Sequence, residues 1–82
     1  MTEQIEYRIN SVISSIINCP LAEIQADKHL FFELFADSLM LTDIVFTLEN
    51  EFKLHIQEAS LVEVNYVRDL YRIVQEGVGA WT

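Results

Sequence analysis

The stretch DSLMLTDIVFTLENEFK, residues 37–53, decides the fold predicted for this chain. Its apolar residues recur at intervals of three and four, which is the period of one face of a helix. Asp37 and Ser38 stand at the start, and both residue types accept hydrogen bonds from first-turn N–H groups. The stretch therefore predicts a helix over about residues 38–53, capped by Asp37 or Ser38, with five residues on its buried face: Leu41, Ile44, Val45, Leu48 and Phe52.

Weaker patterns on either side predict the remaining helices. An apolar stripe at helical spacing indicates a first helix over about residues 3–18, which Pro20 ends because the residue before a proline avoids the α region. A short helix is predicted over 58–64. A last helix is predicted over 66–76, with Gly77 and Gly79 closing it.

Residues 21–37 form a long first loop, and a loop of this length must pack down onto the helices. Phe31, Phe32 and Phe35 lie in it, and we expect most of these rings to pack the loop onto the bundle. The fold class predicted is all-α: a single domain over residues 1–82, built as a small bundle of three main helices and a short one.

The composition limits the classes of partner. The chain has 82 residues, of which 51% are hydrophobic, so it forms one small domain and is not a disordered tail. Five Lys and Arg against 13 Asp and Glu give a formal net charge of −8. This charge argues against nucleic acid or an anionic membrane as partner, and it favours proteins with basic docking patches.

The cysteine count and the N-terminus bear on location. Cys19 is the only cysteine, so no intrachain disulfide can form, and a reducing compartment is indicated. The N-terminal residues lack the basic and apolar regions of a signal peptide. We therefore expect a cytoplasmic protein. Separately, we expect the chain to be monomeric on its own.

Ser38 is the candidate functional residue. A serine where a loop meets a helix lies beside backbone N–H groups that have no helical partner, and such a position can accept a phosphate ester. The alternative for a bare Asp-Ser-Leu tripeptide is that Ser38 only caps the helix.

Catalysis is not expected, because Asp37 and Ser38 are adjacent, so their side chains diverge, and no Gly-x-Ser-x-Gly elbow is present. The histidines lack metal-ligand spacing, so no metal site is predicted.

Residues 27–52 resemble the acyl carrier proteins of fatty-acid and polyketide synthesis. The specific part of the resemblance is Asp37-Ser38-Leu39 followed by a helix that ends Leu48-Glu49-Asn50-Glu51-Phe52. It implies that a separate phosphopantetheinyl transferase esterifies Ser38 with 4′-phosphopantetheine from coenzyme A. The arm would carry an acyl group as a thioester, and the protein itself would catalyse nothing.

The same resemblance implies a docking surface on the second helix. Its expected partners are the transferase, a ketosynthase and other synthase enzymes with basic patches. Leu39 and Phe46 lie seven residues apart and share the outer face of this helix, where exposed apolar residues beside an acidic one are typical of a docking surface. The alternative for Phe46 is burial under the short helix near Leu61. The residues assigned to docking are Leu39, Met40, Asp43, Phe46 and Glu49, with Asp37 as part of the serine motif.

Two positions depart from the family pattern. The family usually has glycine two residues before the aspartate, where this chain has Phe35, and often an acidic residue where it has Met40. Because phenylalanine resists a positive φ, we expect the loop before Ser38 to take a different path. Both departures favour a specialised polyketide or fatty-acid-like pathway. A peptidyl carrier of a nonribosomal synthetase and a non-carrier helical interaction module remain alternatives.

Overall fold

The structure, a computed structural model, describes residues 2–79, and Trp81 lies outside them. Four α-helices follow one another: α1 (Thr2–Ile17), α2 (Ser38–Phe52), α3 (Glu58–Leu61) and α4 (Val67–Gly79). A short 3-10 helix, Leu21–Glu23, lies in the first loop. Within residues 2–79 there is no β-strand, which confirms the predicted all-α bundle. No helix in this range combines the length and apolarity needed to cross a bilayer.

The core is built from one apolar face of each long helix. The five α2 residues that the sequence placed on the buried face are all buried. Ile9 and Ile13 of α1 and Leu70 and Val74 of α4 are fully buried against them. Each such side chain contributes about 1.5–3 kcal/mol relative to leaving it in water, so these stripes supply most of the stability of the bundle.

The long first loop is fixed to the start of α4. The backbone N–H of Leu30 donates to the carbonyl of Asn65 at 2.8 Å, and His29 and Tyr66 form an isolated β-bridge. Ile24, Leu30 and Leu34 are buried in the core. These contacts satisfy backbone groups that the loop would otherwise bury without partners, so the loop is packed down as predicted.

Two predicted helix ends are wrong. The short helix ends at Leu61 rather than near residue 64, and tighter turns follow it, with the N–H of Val64 donating to the carbonyl of Leu61. The last helix continues through Gly77 to Gly79. A Cβ on Gly77 would lie 3.0 Å from a methyl carbon of Leu54, so this glycine allows close packing within the helix and does not end it.

Candidate functional site

Asp37, and not Ser38, caps α2. The backbone of Asp37 is extended, with φ −117° and ψ −179°, and its Oδ1 accepts a hydrogen bond from the N–H of Met40 at 2.8 Å. Its carbonyl accepts the first intrahelical bond, from the N–H of Leu41. Of the two residues that the sequence offered as cap, the aspartate takes the role. The serine hydroxyl is therefore not needed to cap the helix.

Ser38 is the first residue of α2 and its side chain is exposed. The N–H groups of Ser38 and Leu39 lie in the first turn, where no preceding helical carbonyl can accept from them. They and the positive end of the helix dipole favour an anionic group at this position. A phosphate ester on the Ser38 hydroxyl therefore fits this end of the helix by position and by charge.

The loop before Ser38 does not avoid a positive φ. Phe35 adopts φ 61°, in the left-handed region, so the expectation that its bulk would prevent this conformation is wrong. Its neighbours Leu34 and Ala36 are buried, and the N–H of Ala36 donates to the carbonyl of Leu30 at 2.9 Å. Because these anchors fix the chain on both sides, they hold Phe35 in a conformation that residues other than glycine rarely adopt.

The aromatic cluster of the loop is mostly exposed. Phe32 and Phe35 each have 79% of their surface accessible, and only Phe31 packs against the core. The expectation that most of these rings pack the loop onto the bundle is therefore wrong. Buried neighbours at Leu34 and Ala36 provide the packing instead, and they leave the rings to solvent.

The outer face of α2 carries exposed apolar residues. Leu39 is 73% exposed and Phe46 is 64% exposed, and Asp43 between them is exposed as well. The short helix therefore does not cover Phe46. Phe46 and Leu61 instead line a groove of about 230 Å³ between α2 and α3. Val62, 84% exposed at the end of α3, was not singled out from the sequence, because nothing in its local pattern shows which way it points.

Met40 and Glu49 are less available than the other residues predicted to dock. Met40 is half-buried against the core. The Oε2 atom of Glu49 accepts a hydrogen bond from the N–H of Ile56 at 2.8 Å and lies 3.4 Å from Nδ1 of His55. The carboxylate of Glu49 thus holds the connection after α2, a contact that the helical pattern of the sequence did not reveal.

The residues that could suggest catalysis are used in other ways. Nδ1 of His29 accepts from the N–H groups of Phe31 and Phe32, both at 3.2 Å. Burial, with a smaller effect of the Glu23 charge, raises the pKa of the Cys19 thiol, which disfavours the reactive thiolate. Among the described residues, no group of three or more His, Cys, Asp or Glu side chains is arranged to hold a metal ion.

Comparison with known proteins agrees with this geometry. The sequence profile of the family described as "Phosphopantetheine attachment site" matches residues 8–74, most of the chain. The acyl carrier protein of Thermotoga maritima is 29% identical over 77 residues, which cover 94% of this chain and 95% of that protein.

A solved structure shows a similar fold. The apo doublet acyl carrier protein from prodigiosin biosynthesis, determined in solution, superposes with a TM-score of 0.78 at 19% identity over 90% of this chain. The matched region is 36% of that longer chain. The family match and the relative from Thermotoga maritima support one assignment, and the similar fold of the solved structure agrees with it. The chain belongs to the phosphopantetheine attachment site family and is of the acyl carrier protein type, with 4′-phosphopantetheine as the cofactor of the family.

Proposed function

We propose that Ser38 is the residue that carries the phosphopantetheine arm, and that residues 1–82 act as a single carrier domain. The observation that carries this proposal is the division of roles at the start of α2. Asp37 supplies the cap, and the exposed Ser38 hydroxyl is left for an ester. The arm ends in a thiol that holds an acyl group as a thioester.

The residues around Ser38 would position the arm without taking part in chemistry. The first-turn N–H groups and the helix dipole stabilise the negative charge of the phosphodiester by about 0.3–1 kcal/mol. The N–H of Met40 is already bonded to Asp37, so the N–H groups of Ser38 and Leu39 are the ones that remain for the phosphate. The protein is a carrier, and the transferase and the synthase enzymes perform the reactions.

The outer face of α2 would receive those enzymes. Leu39, Asp43 and Phe46 form an exposed apolar and acidic strip beside Ser38, and the groove between Phe46 and Leu61 lies next to it. Apolar contact with a basic rim on the partner fits this strip, because the chain carries a formal net charge of −8. Met40 and Glu49 would lie at its edge, since both are partly used within the fold.

The expected partners are a phosphopantetheinyl transferase, a ketosynthase and other synthase enzymes with basic patches. Phe35 and Met40 depart from the family pattern next to the serine, and for that reason we assign the chain to a specialised polyketide or fatty-acid-like pathway. The composition supports a cytoplasmic monomer that binds neither nucleic acid nor membrane.

Loading with coenzyme A tests the proposal. The wild type, Ser38→Ala and Ser15→Ala are incubated with coenzyme A and a broad-specificity transferase, and intact masses are measured. Ser15 is an exposed serine on α1 and serves as the matched control. We expect the wild type and Ser15→Ala to gain the mass of one phosphopantetheine and Ser38→Ala to gain none. A wild type that gains no mass would contradict carriage and favour a helical interaction module.

A further inference from the structure

Phe35 is held out into solvent by the residues on either side of it. Leu34 and Ala36 are buried, and Ala36 is tied to Leu30 by a backbone hydrogen bond. The ring of Phe35 nevertheless has 79% of its surface exposed, three residues before Ser38. Rotation of the backbone to bury the ring would pull one of these anchors out of the core, so the exposure of the ring is fixed by the fold.

The backbone at Phe35 is also strained. Its φ of 61° is one that residues with a Cβ adopt at a cost of about 1–2 kcal/mol, whereas glycine adopts it freely. An exposed ring gains little from burial to offset this cost. An aromatic residue here therefore weakens the fold or at best leaves it unchanged, so its benefit must be sought in what it contacts outside the chain.

Covalent chemistry at Ser38 identifies the enzyme that must cover this ring. A standard protein interface buries about 800 Å² on each partner, a disc of about 16 Å radius. Three residues span at most about 11 Å, so the backbone of Phe35 lies within the radius of such a disc centred on Ser38. Synthase enzymes also dock on α2, but they reach the cargo through a flexible arm, so their docking does not require contact at Phe35. Only the enzyme that reacts with the serine hydroxyl must bring its own surface to this point.

We propose that Phe35 is a recognition residue for the phosphopantetheinyl transferase, and that its ring enters an apolar pocket beside the active site of that enzyme. This inference rests on the proposed role of Ser38. Leu39, on the other side of the serine, is 73% exposed and adds a second apolar contact. The acidic side chains of Asp37 and Asp43 are exposed nearby, so the pocket is expected to have a basic rim.

Substitution by residues that tolerate the left-handed backbone separates the effect of the ring from the effect of the backbone conformation. Phe35→Gly and Phe35→Asn remove it, and both residues tolerate a positive φ. Phe35→Tyr retains an aromatic ring. Tyr7→Ala is the matched control, because Tyr7 is an exposed aromatic residue on α1, outside the serine loop. The transfer of phosphopantetheine from coenzyme A by a broad-specificity transferase is followed by intact mass, and each unfolding midpoint is measured.

We expect kcat/KM for the transferase to fall about tenfold in Phe35→Gly and Phe35→Asn, as for the loss of a buried aromatic anchor at an interface. Phe35→Tyr and Tyr7→Ala should stay within about twofold of the wild type, since neither removes that anchor. The unfolding midpoints of the glycine and asparagine variants should be equal to or above that of the wild type, which separates lost recognition from lost folding.

Unchanged kcat/KM in the glycine and asparagine variants would overturn the inference and would leave the ring to a synthase enzyme or to the acyl chain. An equal loss in Tyr7→Ala would overturn it as well. In both cases Ser38 would still be loaded, so the proposed function would stand. A wild type that gains no phosphopantetheine would overturn the proposed function itself.

Discussion

At the N-termini of both α2 and α4, an aspartate carboxylate accepts hydrogen bonds from backbone N–H groups. The two ends differ in that α2 is left open, with N–H donors that the chain does not use, whereas α4 is closed, with every donor satisfied. At α4, the carboxylate of Asp69 accepts from the N–H groups of Asn65 and Tyr66, each at 2.9 Å. The next two N–H groups, of Val67 and Arg68, donate at 3.0 Å to carbonyls of the first loop. The chain itself therefore satisfies every donor at this end of the helix.

At α2 the corresponding donors are only partly used. Asp37 accepts from the N–H of Met40 alone, and Ser38 and Leu39 are exposed to solvent. The difference arises because the first loop folds against the start of α4 and leaves the start of α2 uncovered. A helix N-terminus that the chain closes serves to hold the fold, whereas one that the chain leaves open can receive a phosphate.

Removal of the α4 carboxylate is expected to have the largest effect on stability. Asp69→Ala deprives two N–H groups of their acceptor and should lower the free energy of unfolding by about 2 kcal/mol, the upper end for the loss of a cap. Urea unfolding at pH 7 measures it. A loss below that of Asp37→Ala would contradict the difference between the two helix ends.

Acid should remove the contribution of Asp69. Burial alone would raise the pKa of its carboxyl, but the N–H groups of Tyr66 and Asn65 and the charges of Arg72 and Arg68 outweigh burial and hold the pKa below its ordinary value. A carboxyl with a lowered pKa stabilises the fold above its unfolded-state pKa of about 3.9, and this stability is lost as the pH falls through the folded-state value.

The gap in unfolding free energy between the wild type and Asp69→Ala is therefore expected to be constant from neutral pH to about pH 5 and to narrow below about pH 4. Urea unfolding across this range measures the gap. If the difference in unfolding free energy widened in acid, the charged carboxylate of Asp69 would not be the form that stabilises the start of α4.

Removal of the α2 cap should have a smaller effect. Asp37→Ala loses one hydrogen bond to the N–H of Met40 and should cost about 1 kcal/mol of unfolding free energy. The same urea titration gives the value beside that of Asp69→Ala. A loss under about 0.3 kcal/mol would mean that another residue caps α2.

Ser38→Ala should have the smallest effect on stability. Because Asp37 provides the cap and the serine side chain is exposed, the free energy of unfolding should change by less than about 0.5 kcal/mol. A loss of about 1 kcal/mol would instead show that the serine hydroxyl caps the helix, as the alternative reading of Asp-Ser-Leu supposes.

Structural features that depend only on residues close together in the sequence were predicted well. The apolar spacing of α2 identified its buried face, because a helix places residues three and four apart on one side whatever surrounds it. The position of Ser38 at the start of that helix follows from the same pattern, since Asp37 has the side chain of a cap.

Features set by distant contacts could not be read in this way. Of the three phenylalanines in the loop, Phe31 packs against the core and Phe32 and Phe35 are exposed. The exposure of Phe35 depends on the hydrogen bond from Ala36 to Leu30 and on the burial of Leu34 and Ala36. Gly77 is a residue type that often ends a helix, yet here it lies inside α4, where the absence of a Cβ allows Leu54 to pack closely. The bond from Ile56 to Glu49 likewise joins residues that no local pattern relates.

The most direct test of the account is to locate the arm on the protein. The chain is co-expressed with a broad-specificity transferase, purified, digested and fragmented in a mass spectrometer. We predict that the whole phosphopantetheine mass lies on Ser38, at the open end of α2. A group found on any other residue would contradict the account.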